Sequence, residues 1–110
     1  MTEHEWVKGF PGKIEVCDKD GILLEMNDKA AAQENDPHLI GSNILDCHPE
    51  PARAKLKTLL ETGQANIYTI EEKGVKKLIY QLPWYKDGEY AGIVELSLEI
   101  PWDMPHFIRE

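Results

Sequence analysis

Basic residues are scarce in this chain: twelve Lys and Arg stand against twenty Asp and Glu, a formal net charge of -8 over 110 residues. Nucleic-acid recognition needs clustered positive charge, so neither DNA nor RNA is expected as a partner. An anionic membrane surface is disfavoured for the same reason. Cysteine is scarce too. Cys17 and Cys47 are too few for a disulfide framework or a zinc cluster, and both are expected as free thiols in a reducing cytosol. No apolar run approaches the ~20 residues of a membrane span. Met1-Thr2-Glu3-His4-Glu5-Trp6 has neither the basic nor the apolar region of a signal peptide. A cytoplasmic protein is the expectation. The only serines are Ser42 and Ser97, and neither sits in a nucleophile elbow. Gly41, Gly63 and Gly74 stand alone, so no phosphate loop appears. His4, His38, His48 and His106 lack the i, i+4 spacing of a helical metal pair. No catalytic and no metal-binding residue is nominated, and an enzyme is not expected.

What is present suits one globular domain. Hydrophobic residues make up 42% of the chain and charged residues 29%, enough for a single modest core. Asp20-Gly21, Lys73-Gly74 and Asp87-Gly88 are turn signals, because glycine tolerates the positive φ of tight hairpins. Strand-like runs flank them at Lys13–Cys17, Ile22–Asn27, Asn66–Glu71, Lys76–Trp84 and Glu89–Ile100. Several of these runs alternate, as in Val94, Leu96 and Leu98 against Glu95, Ser97 and Glu99. Between them, Asn27 or Asp28 caps a short helix through Glu34, which Asn35-Asp36-Pro37 ends. A longer helix is predicted from about Pro49 to Thr62, with Ala52, Leu56, Leu59 and Leu60 as its apolar stripe and Gly63 as its C-terminal glycine.

The implied fold is α+β: one five-stranded antiparallel sheet with helices covering one face. The spacing places Ile14, Val16, Leu24, Met26, Leu56, Leu60, Tyr80, Val94, Leu96 and Leu98 in one core. Leu78 and Leu82 join them on the helix side. Leu23, Ile67, Ile79 and Ile93 then point away as an exposed apolar patch, a candidate homodimer interface with Trp6 at its edge. The other reading of that patch is that Trp6, Val7 and Phe10 fold over it within the same chain.

The motifs, taken in order, resemble the PAS sensor domain. Asp18-Lys19-Asp20-Gly21 looks like the turn of the first PAS hairpin, and Asn27-Asp28-Lys29-Ala30 like the opening of its first helix. Leu39-Ile40-Gly41-Ser42 is similar to the Leu-Ile-Gly-Lys turn, and His48-Pro49-Glu50 to the start of the long helix. Asp87-Gly88, followed by Gly92, matches the last hairpin. The resemblance covers about residues 6–101. It divides the chain into an N-terminal segment (1–11), a PAS-like domain (12–101) and a C-terminal tail (102–110). Glu99-Ile100-Pro101 stands where many PAS domains end in Asp-Ile-Thr, and its proline opposes a continuous exiting helix. With nine residues after Pro101, no effector domain is expected in this chain.

The resemblance implies a sensory or regulatory module in signal transduction. It would bind a small ligand in a cavity between sheet and helices, or a protein partner. The alternatives are a ligand-free PAS module that only dimerises or docks, and a small α+β enzyme. Cys47, His48, Tyr68 and Tyr80 are the candidate ligand-binding residues. His48 would be the axial ligand of a haem, but a helix-start hydrogen bond explains it as well. Flavin is disfavoured because Cys47 lies in Asp46-Cys47-His48 rather than in the Asn-Cys-Arg motif of flavin-binding photosensors. No cofactor is expected, and the protein should be colourless.

Overall fold

The computed structural model describes residues 5–34 and 39–110. The helix end expected at Asn35-Asp36-Pro37 lies outside the described residues, as do His4 and His38. A short helix α1 (Glu5–Lys8) precedes strands β1 (Lys13–Asp18) and β2 (Leu23–Met26). Helix α2 (Asp28–Glu34), a single 3-10 turn (Ile44–Cys47) and helix α3 (Ala52–Thr62) follow. Strands β3 (Asn66–Glu72), β4 (Val75–Lys86) and β5 (Glu89–Ile100) complete the regular structure of the described residues. The five strands form one antiparallel sheet in the order β2-β1-β5-β4-β3, so the first strand pairs with the last. The expected fold class is the one observed.

Local chemistry accounts for the hairpins. Lys73 and Gly74 both have positive φ, as do Asp87 and Gly88, and each pair alone separates two strands. That is the two-residue turn whose twist matches the flanking strands. The β1–β2 connection is longer. Asp18 Oδ1 accepts from the backbone N–H groups of Asp20 and Ile22, both at 2.9 Å, and Gly21 turns the chain at φ 89°. Helix α3 starts at Ala52, later than the prolines suggested, and ends on Gly63 in the left-handed conformation.

The faces of the sheet are the reverse of the sequence expectation. Cys17 pairs with Ile93, and these two pack with Leu56, Leu59 and Leu60 of α3 as the core. Leu23 and Ile79 are buried as well. Leu23, Ile79 and Ile93 therefore lie on the helix side and cannot form an outer interface. Ile14 pairs with Leu96, Val16 with Val94, Tyr80 with Leu96 and Leu78 with Leu98, all on the opposite face and half-buried. Of the four residues expected outside, only Ile67 is there, opposite Tyr80 and 51% exposed. Leu24 is exposed rather than core. Side chains alternate along a strand, so one wrong choice of parity moves a whole set to the other face. The expected helix residues Leu56 and Leu60 are buried as the stripe required. Leu56→Ala should cost about 2–5 kcal/mol in a urea melt. A loss below ~0.5 kcal/mol, a surface value, would contradict that burial.

The described N-terminal residues meet the outer face along β1 and at Leu98 of β5. Val7 and Lys8 border a shallow depression with Ile14, Val16 and Met26, and Phe10 lies close to Leu98 across Gly12. Trp6 stays 67% exposed.

Candidate functional site

The inner face of the sheet carries more than a core. Along β1 and β5 the paired inner positions run Lys13–Ser97, Glu15–Glu95 and Cys17–Ile93. Strand β4 adds Gln81 beside Glu95. Charged residues thus occupy the middle of a sheet face that α2, the 3-10 turn and α3 overhang. Between them lies a cavity of about 110 Å³. Cys17, Leu23, Ile44, Leu56 and Ile93 form its apolar end, and Lys13, Glu15, Glu34, Gln81 and Glu95 its polar end. His48 also borders it.

The polar end is a connected network. Lys13 Nζ stands 3.3 Å from Glu15, 3.1 Å from Glu34 and 3.7 Å from Glu95. Gln81 donates to Glu95 at 2.8 Å, and Asn66 donates to Gln81 at 2.8 Å. The chain of contacts runs from edge strand β3 across the sheet to α2. Burial depresses the Lys13 ammonium, but Glu15, Glu95 and Glu34 outweigh it and hold its pKa above the ordinary value. Burial pushes the Glu15 carboxyl up, Lys13 opposes this, and Glu95 and Glu34 add to the rise. Burial likewise raises the Cys17 thiol.

These directions set a pH dependence. Glu15 favours the folded state fully below its unfolded pKa, and that contribution is lost as pH rises through its raised folded value. Lys13 stabilises up to its ordinary value of 10.5 and loses that contribution above it. Glu15→Gln should therefore raise the melting temperature at neutral pH and flatten the decline between acid and neutral pH. A lower melting temperature at neutral pH would show that Glu15 is net stabilising.

The nominated ligand residues divide. His48 reaches the cavity edge, and its Nδ1 lies 2.6 Å from the Ile44 carbonyl, a bond back to the first residue of the 3-10 turn and not to the start of α3, where one was expected. Cys47 is exposed and does not border the cavity. Tyr80 stands on the outer face opposite Ile67 and Leu96, so its phenol cannot enter. Tyr68 is on the inner face opposite Ile79 but outside the cavity wall, 41% exposed. Burial and then Glu95 raise its hydroxyl pKa, which places it near the charged end. The network residues Lys13, Glu15, Glu34, Gln81 and Glu95 were not nominated. Gln81, a lone amide among Ile79, Tyr80, Leu82 and Pro83, was the available signal.

A haem does not fit this space. The cavity is below the roughly 300–1,000 Å³ that ordinary ligand sites offer. Among the described residues, no group of three or more His, Cys, Asp or Glu is arranged to hold a metal. No described helix is long and apolar enough to cross a membrane.

Asn27 ties the entry of the fold together. Its Oδ1 accepts from Ile14 at 3.0 Å and from Ala30 at 3.1 Å, the second being the helix cap. Its Nδ2 donates to the carbonyls of Val7, Phe10 and Gly12. Trp84 Nε1 donates to the Cys17 carbonyl at 2.9 Å, opposite Gly92, where a Cβ would collide with that same carbonyl. Trp84 is therefore structural.

No family model and no curated protein matches the sequence. Solved structures do. The C-terminal domain of a Streptococcus mutans protein superposes at TM-score 0.72 with 24% identity, covering 84% of this chain and 78% of that one. The PAS domain of BvgS from Bordetella pertussis gives 0.66 with 22% identity, covering 86% and 81%. The PAS domain of an HTR-like protein from Haloarcula marismortui gives 0.62 with 18% identity, covering 86% and 91%. With the strand order, the overhanging helices and the cap that Asn27 places on α2, these likenesses show that the chain has the PAS fold.

Proposed function

We propose that this chain is a sensory or regulatory signalling module that binds a small ligand in the cavity between its sheet and helices. The observation that carries this is the charged network placed on the inner face. Such groups cost stability when they serve only the fold, and a hydrophobic filling would pack better. Binding rather than catalysis is the proposed activity. A ligand seated there would touch α2 through Glu34 and the sheet through Glu15 and Glu95, and so bias how the two pack. Two unpaired cysteines favour a reducing, cytosolic setting. Native mass spectrometry of the protein purified without denaturant tests the reading. A reproducible non-protein adduct that Leu56→Trp displaces is expected, because indole would fill the cavity. An adduct-free wild type, with or without added cell extract, would contradict it.

A second reading rests on the outer face. Ile14, Val16, Leu78, Tyr80, Leu82, Val94, Leu96 and Leu98 form a broad apolar sheet surface, whereas a solvated antiparallel face normally turns polar. We infer a homodimer through this face, in place of the residues the sequence suggested. Sedimentation should give a dimer, and Leu96→Asp a folded monomer. A monomeric wild type at high concentration would overturn it.

A further inference from the structure

We propose that the free edge of β3 pairs with the same edge of a second copy, joining two sheets into one antiparallel sheet. Strand β3 is terminal in the sheet, and its seven residues follow β4 without a bulge. Natural sheets blunt such an edge with proline, lysine, a bulge or a covering segment. Asn66–Glu72 contains no proline, glycine or lysine, and Ile67 and Tyr68 stand 51% and 41% exposed. The opposite edge is guarded, since Leu23 of β2 donates to the Ser42 carbonyl and accepts from Gly41. Among the described residues, no turn or loop bonds to the backbone of β3 in that way. The Lys73-Gly74 turn fixes which backbone groups point outward. A two-residue loop is closed by a hydrogen-bonded pair, here Glu72–Val75, and bonded and unbonded pairs alternate from there. Tyr68 and Ile70 therefore spend their N–H and C=O groups on β4, and Ile67, Thr69 and Glu71 turn theirs outward.

That outward set is symmetric about Thr69. A two-fold axis there sets Thr69 against its own copy and Ile67 against the partner's Glu71, with about six backbone hydrogen bonds. Tyr68 then meets the partner's Ile70, an aromatic and β-branched pair. Charge selects this register and this occupant. An axis at Glu71 would oppose two carboxylates, and an axis at Ile67 would leave most of the edge unpaired. The axis at Thr69 brings Glu72 to the partner's Asn66 on the helix side. Asn66 and Lys55 border one depression beside α3. Lys55 is exposed and, among the described residues, in no ion pair. Glu72 is held only loosely by its own Lys77, at 3.8 Å. A Glu72–Lys55 attraction thus forms at each end of the paired edge. A single strand pair buries little surface, so a transient contact at about millimolar concentration is expected. It needs neither the cavity nor the outer-face contact.

Amide hydrogen exchange of the full-length protein at micromolar and millimolar concentration tests the pairing. The amides of Ile67, Thr69 and Glu71 should exchange roughly tenfold more slowly at the higher concentration, and those of Tyr68 and Ile70, bonded to β4, should not change. Thr69→Pro removes an outward N–H and no bond to β4, so it should keep the far-ultraviolet dichroism and lose the protection at Ile67 and Glu71. Glu72→Lys should lose the protection by setting two cations together, and Glu72→Lys combined with Lys55→Glu should restore it. Leu96→Asp should retain it, which separates this contact from the outer-face dimer. Fast exchange at the three amides at both concentrations would overturn the proposal. Slow exchange there in a Leu96→Asp monomer would put another segment of the same chain on the edge and overturn it as well. A charge-swapped double variant that stays unprotected would overturn the register at Thr69.

Discussion

Ile93→Asp should unfold the domain. Ile93 is 4% exposed and packs with Cys17, Leu56, Leu59 and Leu60. The substitution removes a core side chain, worth about 2–5 kcal/mol on truncation. It also leaves a carboxylate or a neutral acid among apolar groups, which adds several kcal/mol. The sum reaches the whole stability of a domain of this size, roughly 5–15 kcal/mol. Nearby Glu95 makes the new charge harder still to hold. Val94→Asp, one residue along on the outer face, is the matched control and should stay folded. Urea unfolding followed by circular dichroism separates them. A well-folded Ile93→Asp with a near-wild-type midpoint would mean that Ile93 faces outward after all.

Asn27→Ala should be the most damaging polar truncation. Asn27 is 2% exposed, and its amide serves two backbone donors and three backbone carbonyls. Alanine leaves those buried groups with no replacement partner, at about 1–3 kcal/mol for each one that water cannot reach. Loss of the α2 cap adds about 1 kcal/mol. A total of about 3 kcal/mol is expected by urea melt, together with faster hydrogen exchange at the amides of Ile14 and Ala30. Asn27→Asp keeps the two acceptor bonds but turns a carboxylate toward three carbonyls, so it should recover little. A loss below about 1 kcal/mol for Asn27→Ala would show that the N-terminal segment is not held through this residue.

The turns were legible because their chemistry is local. Lys73-Gly74 and Asp87-Gly88 need nothing beyond themselves to reverse a chain, and the predicted limits of β5 match those observed, Glu89–Ile100. Helix α3 was readable from Leu56, Leu59 and Leu60, since its other faces carry Arg53, Lys55 and Lys57. The facing of the sheet was not legible. Strand β5 reads apolar at Val94, Leu96 and Leu98 and polar at Glu95 and Ser97, and the usual rule sends the apolar set inward. The apolar set lines a broad outer face, and the polar set lines a cavity roofed by helices. The candidate site went unread for that reason: Lys13, Glu15 and Glu95 looked like solvated strand positions. Their meeting depends on the β1–β5 pairing, which joins residues some 80 positions apart and leaves no local trace. Tyr80 was misplaced by the same inversion.

The two cysteines offer the most direct test of the central claim, that the Lys13–Glu15–Cys17 face lies beneath the helices and lines the cavity. Cys47 is exposed and Cys17 is buried, with its thiol pKa raised by burial. Labelling the native protein with a thiol reagent should show one fast reaction at Cys47. A second at Cys17 should be orders of magnitude slower, limited by opening of the domain. Cavity occupancy should slow the second reaction further and leave the first unchanged. Equal rates at both thiols would place Cys17 on an open surface and contradict the account.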